Sequence, residues 1–401
     1  MKDSPDSFMK RVRRQVVCRD YTFLAVVQPA LRGVCGSELA ENGFTVNGET
    51  EAGLEFSGSL REGWRANLVL RTASRVYCRV ARFRAGAREE LYRRVAAFAW
   101  ELWLPPAAEV RIRVKVRRSR LRHEGAAAQA FFDGLRRHYG NIGLPAPREA
   151  LQENRKTENC QRVLLRVTRN SCEISLDMSG MPLYTRGYRT GGGIAPLRES
   201  LAAALLRELG WTGEGILADG MTGSGTLAIE AALISGALPP GGNRVFRFQA
   251  WPSFTEPAWR HIQKKAAPAA CPANGCLFAL DISAQAIGLA QKNAGRAGVQ
   301  DRILWERGDF FNWTGTNLRA RSRAAEQAPG YLVLNPPYGK RLAEGGEHLY
   351  RNLGRHILRN FSGWNALVLF PGAALLKAFG GEPKRILPLR HGGINILAGF
   401  F

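Results

Sequence analysis

Acidic residues are scarce in this 401-residue chain: 34 Asp and Glu stand against 57 Lys and Arg, a formal charge of +23. Solvated basic faces account for any single cluster, but so large a total points to a polyanionic partner, with nucleic acid favoured over a membrane surface. Cysteine is equally thin. The seven cysteines, at positions 18, 35, 78, 160, 172, 271 and 276, are scattered. Cys271 and Cys276 have no matching second pair, so no zinc site is indicated. An odd count without a secretory leader suggests reduced thiols in a cytoplasmic protein. Long apolar runs are missing too: the first twenty residues are basic and polar (Lys10, Arg11, Arg13, Arg14), and nothing approaches a membrane-spanning length. No internal repeat is found. Apolar content of 45% is ordinary for globular proteins, and the length allows two or three domains.

What is present organises around Tyr331-Leu-Val-Leu-Asn335-Pro336-Pro337-Tyr338. Four apolar residues read as a buried strand. Two prolines then forbid continued sheet pairing, so a stiff turn must follow at the strand's carboxyl edge. In open α/β sheets that edge is where ligands bind. The Asn335 side-chain carbonyl and the Pro336 carbonyl can both accept hydrogen bonds from one amino group, while Tyr338 can stack on a planar base. A rigid turn with no further role is the plainer alternative for such a motif in isolation.

Along the chain, residues 1–19 read as a basic, loosely ordered arm. Tyr21–Val27 reads as a strand, residues 29–43 as a helix with a glycine stop, and Gly53–Phe56 and Ala66–Leu70 as short strands, a β-α-β-β pattern. Val110-Arg-Ile-Arg-Val-Lys-Val-Arg alternates strictly. It places Arg111, Arg113, Lys115 and Arg117 on one face, with Arg118, Arg120 and Arg122 extending the cluster. Like charges side by side repel unless a polyanion neutralises them; a solvated strand is the alternative. A helix over 125–139 and a strand pair around Arg169-Asn170 follow. Beyond the glycine-rich junction at 188–196, Pro196 opens a helix over 197–209. From there strands at 215–218, 276–280, 302–306, 331–334, 366–370 and 394–400 alternate with helices, which predicts a parallel, doubly wound sheet. The insertion 236–275, rich in Trp and Phe, shapes a lid or substrate wall or else fills packing space; both readings stand.

The chemistry gathers at successive strand ends. Asp219-Gly-Met-Thr-Gly223-Ser-Gly225-Thr is a glycine-rich turn that lets backbone approach a ligand. Gly223-x-Gly225-x-x-Ala228 fits the dinucleotide fingerprint, and Asp281 stands where a ribose-binding carboxylate is expected, displaced by the insertion. Asp309 suits an adenine amine. Each Asp alone could be a helix cap. A dehydrogenase leaves the Asn-Pro-Pro-Tyr turn and the basic amino-terminal half unexplained, whereas S-adenosylmethionine uses all three sites.

These motifs, together with Leu280-Asp-Ile, Gly308-Asp-Phe, Arg186-Gly-Tyr-Arg, Ser119-Arg-Leu-Arg-His123 and the Tyr21–Phe44 start, resemble the THUMP-containing class I RNA guanine-N2 methyltransferases, most closely the bacterial large-subunit ribosomal RNA enzymes. The resemblance implies an α/β chain: a class I, Rossmann-like methyltransferase domain over 186–401, preceded by a basic arm (1–19), a ferredoxin-like domain (20–66) and an RNA-binding THUMP domain (67–185). It implies that Pro196, Asp219, Met221, Gly223, Ser224, Gly225, Thr226, Asp281, Asp309 and Asn335 hold S-adenosylmethionine. Asn335, Pro336 and Tyr338 would carry catalysis, and Arg111, Arg113, Lys115, Arg117, Arg118, Arg120 and Lys340 would contact RNA, with no metal. Gly220 stands where that family commonly has Pro, Thr222 where Cys is frequent and Lys340 where an acid is usual. His391-Gly-Gly departs from the family's Asn-Gly. The expected reaction is methyl transfer to a guanine N2 amine in 23S ribosomal RNA. Transfer RNA guanine, adenine N6, or a non-catalytic RNA-binding factor are the alternatives.

Overall fold

The computed structural model describes residues 4–150, 160–189, 197–267, 276–322, 324, 327–337 and 346–401. Pro196, Tyr338 and Lys340 lie outside the described residues. The chain divides into two compact units: Met1–Val27, Leu39–Leu183 and Arg244–Lys265 form the first, and Gln28–Glu38, Tyr184–Asn243 and Ala266–Phe401 the second.

The first unit begins with a correction. Residues 5–17 are helical, not a loose arm: α1 (Pro5–Val12) runs into a π turn over Arg13–Val17. Ser4 caps it by accepting from Ser7 N at 3.3 Å, and Val12 and Val16 are buried, so the basic residues ride on an amphipathic segment. Next in the chain come β1 (Asp20–Val26), α2 (Arg32–Glu41, of which only residues 39–41 belong to this unit), β2 (Thr45–Thr50), β3 (Gly53–Ser59), α3 (Leu60–Val69) and β4 (Arg75–Arg84). The expected strand at Ala66–Leu70 is therefore the end of a helix. Ser59 and Glu62 form a capping box, and Leu60, Trp64 and Leu68 recur every fourth residue and are all buried, so the local pattern has the helical period. The sequence continues through α4 (Arg88–Ala96), β5 (Glu109–Arg117), α5 (Glu124–Asn141), β6 (Arg148–Glu149), β7 (Gln161–Thr168) and β8 (Ser171–Asp177). All eight strands make one sheet in the order β2-β3-β1-β4-β8-β7-β5-β6. Arg169 and Asn170, both at positive φ, close the β7–β8 hairpin.

Residues 244–265 of the aromatic insertion belong to this first unit and pack within it. Phe248 stacks on Trp64 at 5.4 Å, Trp251 meets Trp103 edge-on, and Trp251 Nε1 donates to Gln161 Oε1 at 2.9 Å. Phe246, Phe248, Trp251 and Trp259 are buried. Of the two readings of this segment, packing is the one its described residues follow.

The second unit contains α6 (Glu199–Glu208), β9 (Ile216–Asp219) and α7 (Thr226–Ser235); after the excursion that ends in α8 (Glu256–Ala266) come β10 (Cys276–Asp281) and α9 (Ala284–Ala297). Then follow β11 (Ile303–Arg307), α10 (Gly315–Arg321), β12 (Gly330–Leu334), α11 (Gly346–Asn360), β13 (Asn365–Phe370), α12 (Ala373–Phe379), β14 (Arg385–His391) and β15 (Ile394–Phe400). The sheet order is β11-β10-β9-β12-β13-β15-β14. Its first five strands are parallel, as expected, but β15 is antiparallel to both β13 and β14. The cause is local. Gly392 and Gly393 both sit at positive φ in a two-residue turn, which can join only antiparallel strands. Phe278, Leu280, Phe310, Leu332, Leu334, Tyr350, Phe361 and Phe370 build the core beneath the strand ends. No described helix is long and apolar enough to cross a membrane.

Candidate active site

The site is assembled at the carboxyl edge of four neighbouring strands in the second unit. Asp219 ends β9; Ala279 of β10 and Val333 of β12 both lie opposite it, so Asp281 and Asn335 each stand two residues past its level. Asp309 follows β11, whose Arg307 lies opposite Asp281. Three strand spacings separate β12 from β11, roughly 14 Å, a span suited to an extended ligand with an adenosine at one end.

Asp219 is 1% exposed and orders the glycine turn from below. Its Oδ2 accepts from Thr222 Oγ1 at 2.9 Å and Ala228 N at 3.3 Å. Burial pushes this carboxyl up to about 7, despite the opposing hydrogen bonds from Thr222 and the Ala228 backbone. Thr222 N donates to Leu280 O, and Asn293, buried in α9, donates from Nδ2 to Ser224 O at 3.0 Å, so the turn is pinned from both sides. Gly225, at φ 85°, starts α7 where a Cβ would lie 2.9 Å from that of Ala290. Gly223 faces open space.

Asp281 is already engaged with the turn: its Oδ2 accepts from Gly223 N and its Oδ1 from Ser283 N, each at 2.9 Å. Each carboxylate oxygen keeps a lone pair for a further donor. Asp309 is exposed and accepts from Phe311 N at 3.0 Å, capping a short 3₁₀ turn. Ile282, next to Asp281, is 71% exposed and offers an apolar surface beside the two carboxylates. Asn335 Oδ1 is buried with no hydrogen-bond partner among the described residues, and so is Asp219 Oδ1. A buried acceptor left unmatched costs on the order of 1–3 kcal/mol, which a ligand's N–H would recover.

The structure thus brings Asp219, Met221, Gly223, Ser224, Gly225, Thr226, Asp281, Asp309, Asn335 and Pro336 to one edge. Behind α7 lies a brace that sequence reading did not assign. Glu230, fully buried, accepts from Tyr188 OH at 3.2 Å and pairs with Arg186 at 3.4 Å; Arg189 bonds Thr226 Oγ1 and pairs with Glu199. The Arg186-Gly-Tyr-Arg block was the available signal, but the acids that answer it lie 10 to 44 residues away. Gly220, where the family commonly has Pro, has no room for a side chain. Its Cβ would lie 2.4 Å from Phe310 Cδ2 and 2.7 Å from Leu334 Cδ2, so the Phe310 ring occupies the space a side chain there would need.

The basic residues expected to touch RNA belong to the first unit. Arg113, Lys115, Arg117, Arg118 and Arg120 are exposed and Arg111 half-buried. Arg117 forms an ion pair with Glu51, which holds its guanidinium above the usual range. Among the described residues no His, Cys, Asp and Glu cluster could hold a metal ion.

Five parallel strands in this order, with a glycine turn and carboxylates on consecutive strand ends, define a Rossmann-like methyltransferase fold. The chain belongs to the family described as RMKL-like, methyltransferase domain, whose profile matches residues 186–398; residues 22–77 match the RlmL ferredoxin-like domain. It is 34% identical over 390 residues to "Ribosomal RNA large subunit methyltransferase K/L" of Syntrophotalea carbinolica, covering 93% of this chain and 52% of that protein. It is 30% identical to "Putative RNA methyltransferase slr0064" of Synechocystis, covering 93% of this chain and 94% of that one. The chain spans about half the length of the K/L relatives it matches. Among solved structures, SMU.472 complexed with SAH aligns with TM-score 0.78 at 25% identity, over 96% of this chain and 98% of that one.

Proposed function

We propose that the protein is an S-adenosylmethionine-dependent RNA methyltransferase that modifies the exocyclic N2 amine of a guanine, with large-subunit ribosomal RNA as substrate, and that it works in the cytoplasm. The observation that carries this reading is the buried, unmatched Asn335 Oδ1 beside the glycine turn of β9. The names of the K/L relatives, and SAH in a structural neighbour, support the same class of substrate and cofactor.

Asp281 would hold the ribose hydroxyls, Asp309 the adenine amine, and Ile282 the face of the base; the turn from Asp219 to Thr226 would hold the amino-acid end. Bound there, S-adenosylmethionine supplies an electrophilic methyl group. The protein's own work is positioning. Asn335 Oδ1 and the Pro336 carbonyl accept the two N–H bonds of the target amine, which aims its lone pair and leaves it little freedom. The same acceptors favour the positive charge that grows on nitrogen as it is alkylated. The amine becomes acidic once methylated, so no strong general base is required. Tyr338, outside the described residues, is proposed to stack on the target base.

Asn335→Ala tests this directly. Turnover should fall about a hundredfold, the usual effect of losing one preorganised polar contact, while cofactor affinity measured by calorimetry stays within a few-fold. Wild-type turnover in a folded variant would remove Asn335 from the reaction.

A further inference from the structure

The chain's excess positive charge is not spread evenly over the first unit. On the sheet face around β5 and β7 acids stand among the cations and answer several of them, although exposed Arg113 and Lys115 have no ion-pair partner among the described residues. Arg166 pairs with Glu55 at 3.1 Å and Glu173 at 2.9 Å, Arg79 with the same two acids, and Arg117 with Glu51. At the far end of the same strands the balance changes. Arg84, Arg118, Arg120, Arg122 and Arg169 surround two adjoining hollows of about 500 and about 320 Å³ that share Arg120 and Asn170 as their dividing wall. All five arginines are exposed, and none has an ion-pair partner among the described residues. The one acid lining either hollow, Glu90, is turned to Gly86 N at 2.7 Å.

This end is built rather than frayed. Asn170 Oδ1 accepts from Ser119 Oγ at 2.8 Å and Arg120 N at 2.9 Å, and Asn170 O accepts from Ala85 N at 2.9 Å. One residue thus ties together the end of β4, the loop after β5 and the β7–β8 turn. Arg118, Arg169 and Asn170 all hold positive φ, at 45°, 51° and 62°. Left-handed backbone at a non-glycine residue costs about 1 kcal/mol or more and persists where surrounding bonds fix it. Here it directs arginines from two separate turns around the same wall. Like charges held together in this way repel until an anion arrives, and guanidinium groups are suited to bidentate phosphate binding.

We infer that this double hollow at the β4, β5 and β7 ends is the RNA-docking site, taking successive phosphates of one strand, and that the Arg111–Lys115 strand face is not. The inference rests on the RNA reading proposed above and adds Arg84, Arg122 and Arg169 to the binding residues while removing Arg111, Arg113 and Lys115. Such contacts give affinity without base choice, which is left to the catalytic edge.

The test compares two triple variants of the full chain, Arg118→Gln/Arg120→Gln/Arg169→Gln and Arg111→Gln/Arg113→Gln/Lys115→Gln. Binding of a fluorescent single-stranded RNA is followed across salt concentrations. The first variant should bind roughly tenfold or more weakly and lower the slope of log affinity against log salt by about 2. The second should keep the wild-type slope. Lysine at the same three turn positions should restore most of the slope, which separates lost charge from lost folding. If the strand-face variant loses the slope and the turn variant keeps it, the docking site is misplaced although the RNA reading stands. If the wild type binds no RNA even at low salt, both fall together.

Discussion

Replacing Asp281 with alanine removes two hydrogen bonds at once, to Gly223 N and Ser283 N, both at 2.9 Å. Hydrogen bonds to a charged group contribute about 1.5–3 kcal/mol each. The Ser283 bond lies at a half-exposed helix start and belongs at the low end. The Gly223 bond holds the turn itself, so its loss should cost about 1.5–2 kcal/mol of folding stability by the same range. Cofactor binding suffers twice, because the ribose contacts vanish and the turn that frames the ligand loosens. A total of about 3 kcal/mol corresponds to roughly a hundredfold in dissociation constant. Asp281→Asn retains one carbonyl acceptor but turns an amide N–H₂ toward one of the two backbone donors. It should lie between, at about tenfold. Calorimetry with S-adenosylmethionine, alongside thermal denaturation, measures both effects. An alanine variant with unchanged melting temperature and cofactor affinity within twofold of wild type would refute the reasoning.

Gly220→Ala places a Cβ 2.4 Å from the Phe310 ring, and overpacking of this kind costs about 1–3 kcal/mol. Because Phe310 adjoins Asp309, denaturant midpoints should fall and cofactor affinity with them, whereas a neutral result would mean the ring yields freely. Asp219 gives a pH signature. Its folded carboxyl titrates near 7 against an ordinary value of 3.8, so its protonated form is favoured by folding. That contribution is complete below about pH 4 and is lost as pH rises through 7. The stability difference between wild type and Asp219→Asn, from urea melts, should therefore shrink from pH 4 to 7 and level off above it; a constant difference would contradict the buried, protonated carboxyl.

Much of the catalytic edge was legible because local pattern and tertiary role agree there. The Tyr331–Leu334 run, two prolines and a polar residue can only be a buried strand that stops at its carboxyl end. The strict alternation of Val110–Arg117 likewise fixed β5 and its two faces. Misses arose where period and composition compete. Arg75–Arg84 carries enough arginine to mask the buried Val76 and Cys78, so β4 went unseen. Ala66–Leu70 looked extended only when separated from the capping box seven residues earlier. Other features are invisible at any window length. Asp281 meets Gly223 across 58 residues, Asn170 meets Ser119 across 51, and Gly220 is small because Phe310 needs its space. The antiparallel β15 was hidden behind a two-glycine turn whose geometry the sequence states but whose partner strand, β14, is mostly polar or exposed.

The central claim is that Asn335 and Pro336 hold a guanine amine for methylation, and the product tests it most directly. The protein is incubated with unmodified large-subunit ribosomal RNA and methyl-labelled S-adenosylmethionine, and the RNA is digested to nucleosides for mass spectrometry. The label should appear in N2-methylguanosine and fall about a hundredfold with Asn335→Ala. Label in N6-methyladenosine, or none from a folded, cofactor-binding protein on any RNA tested, would contradict the account.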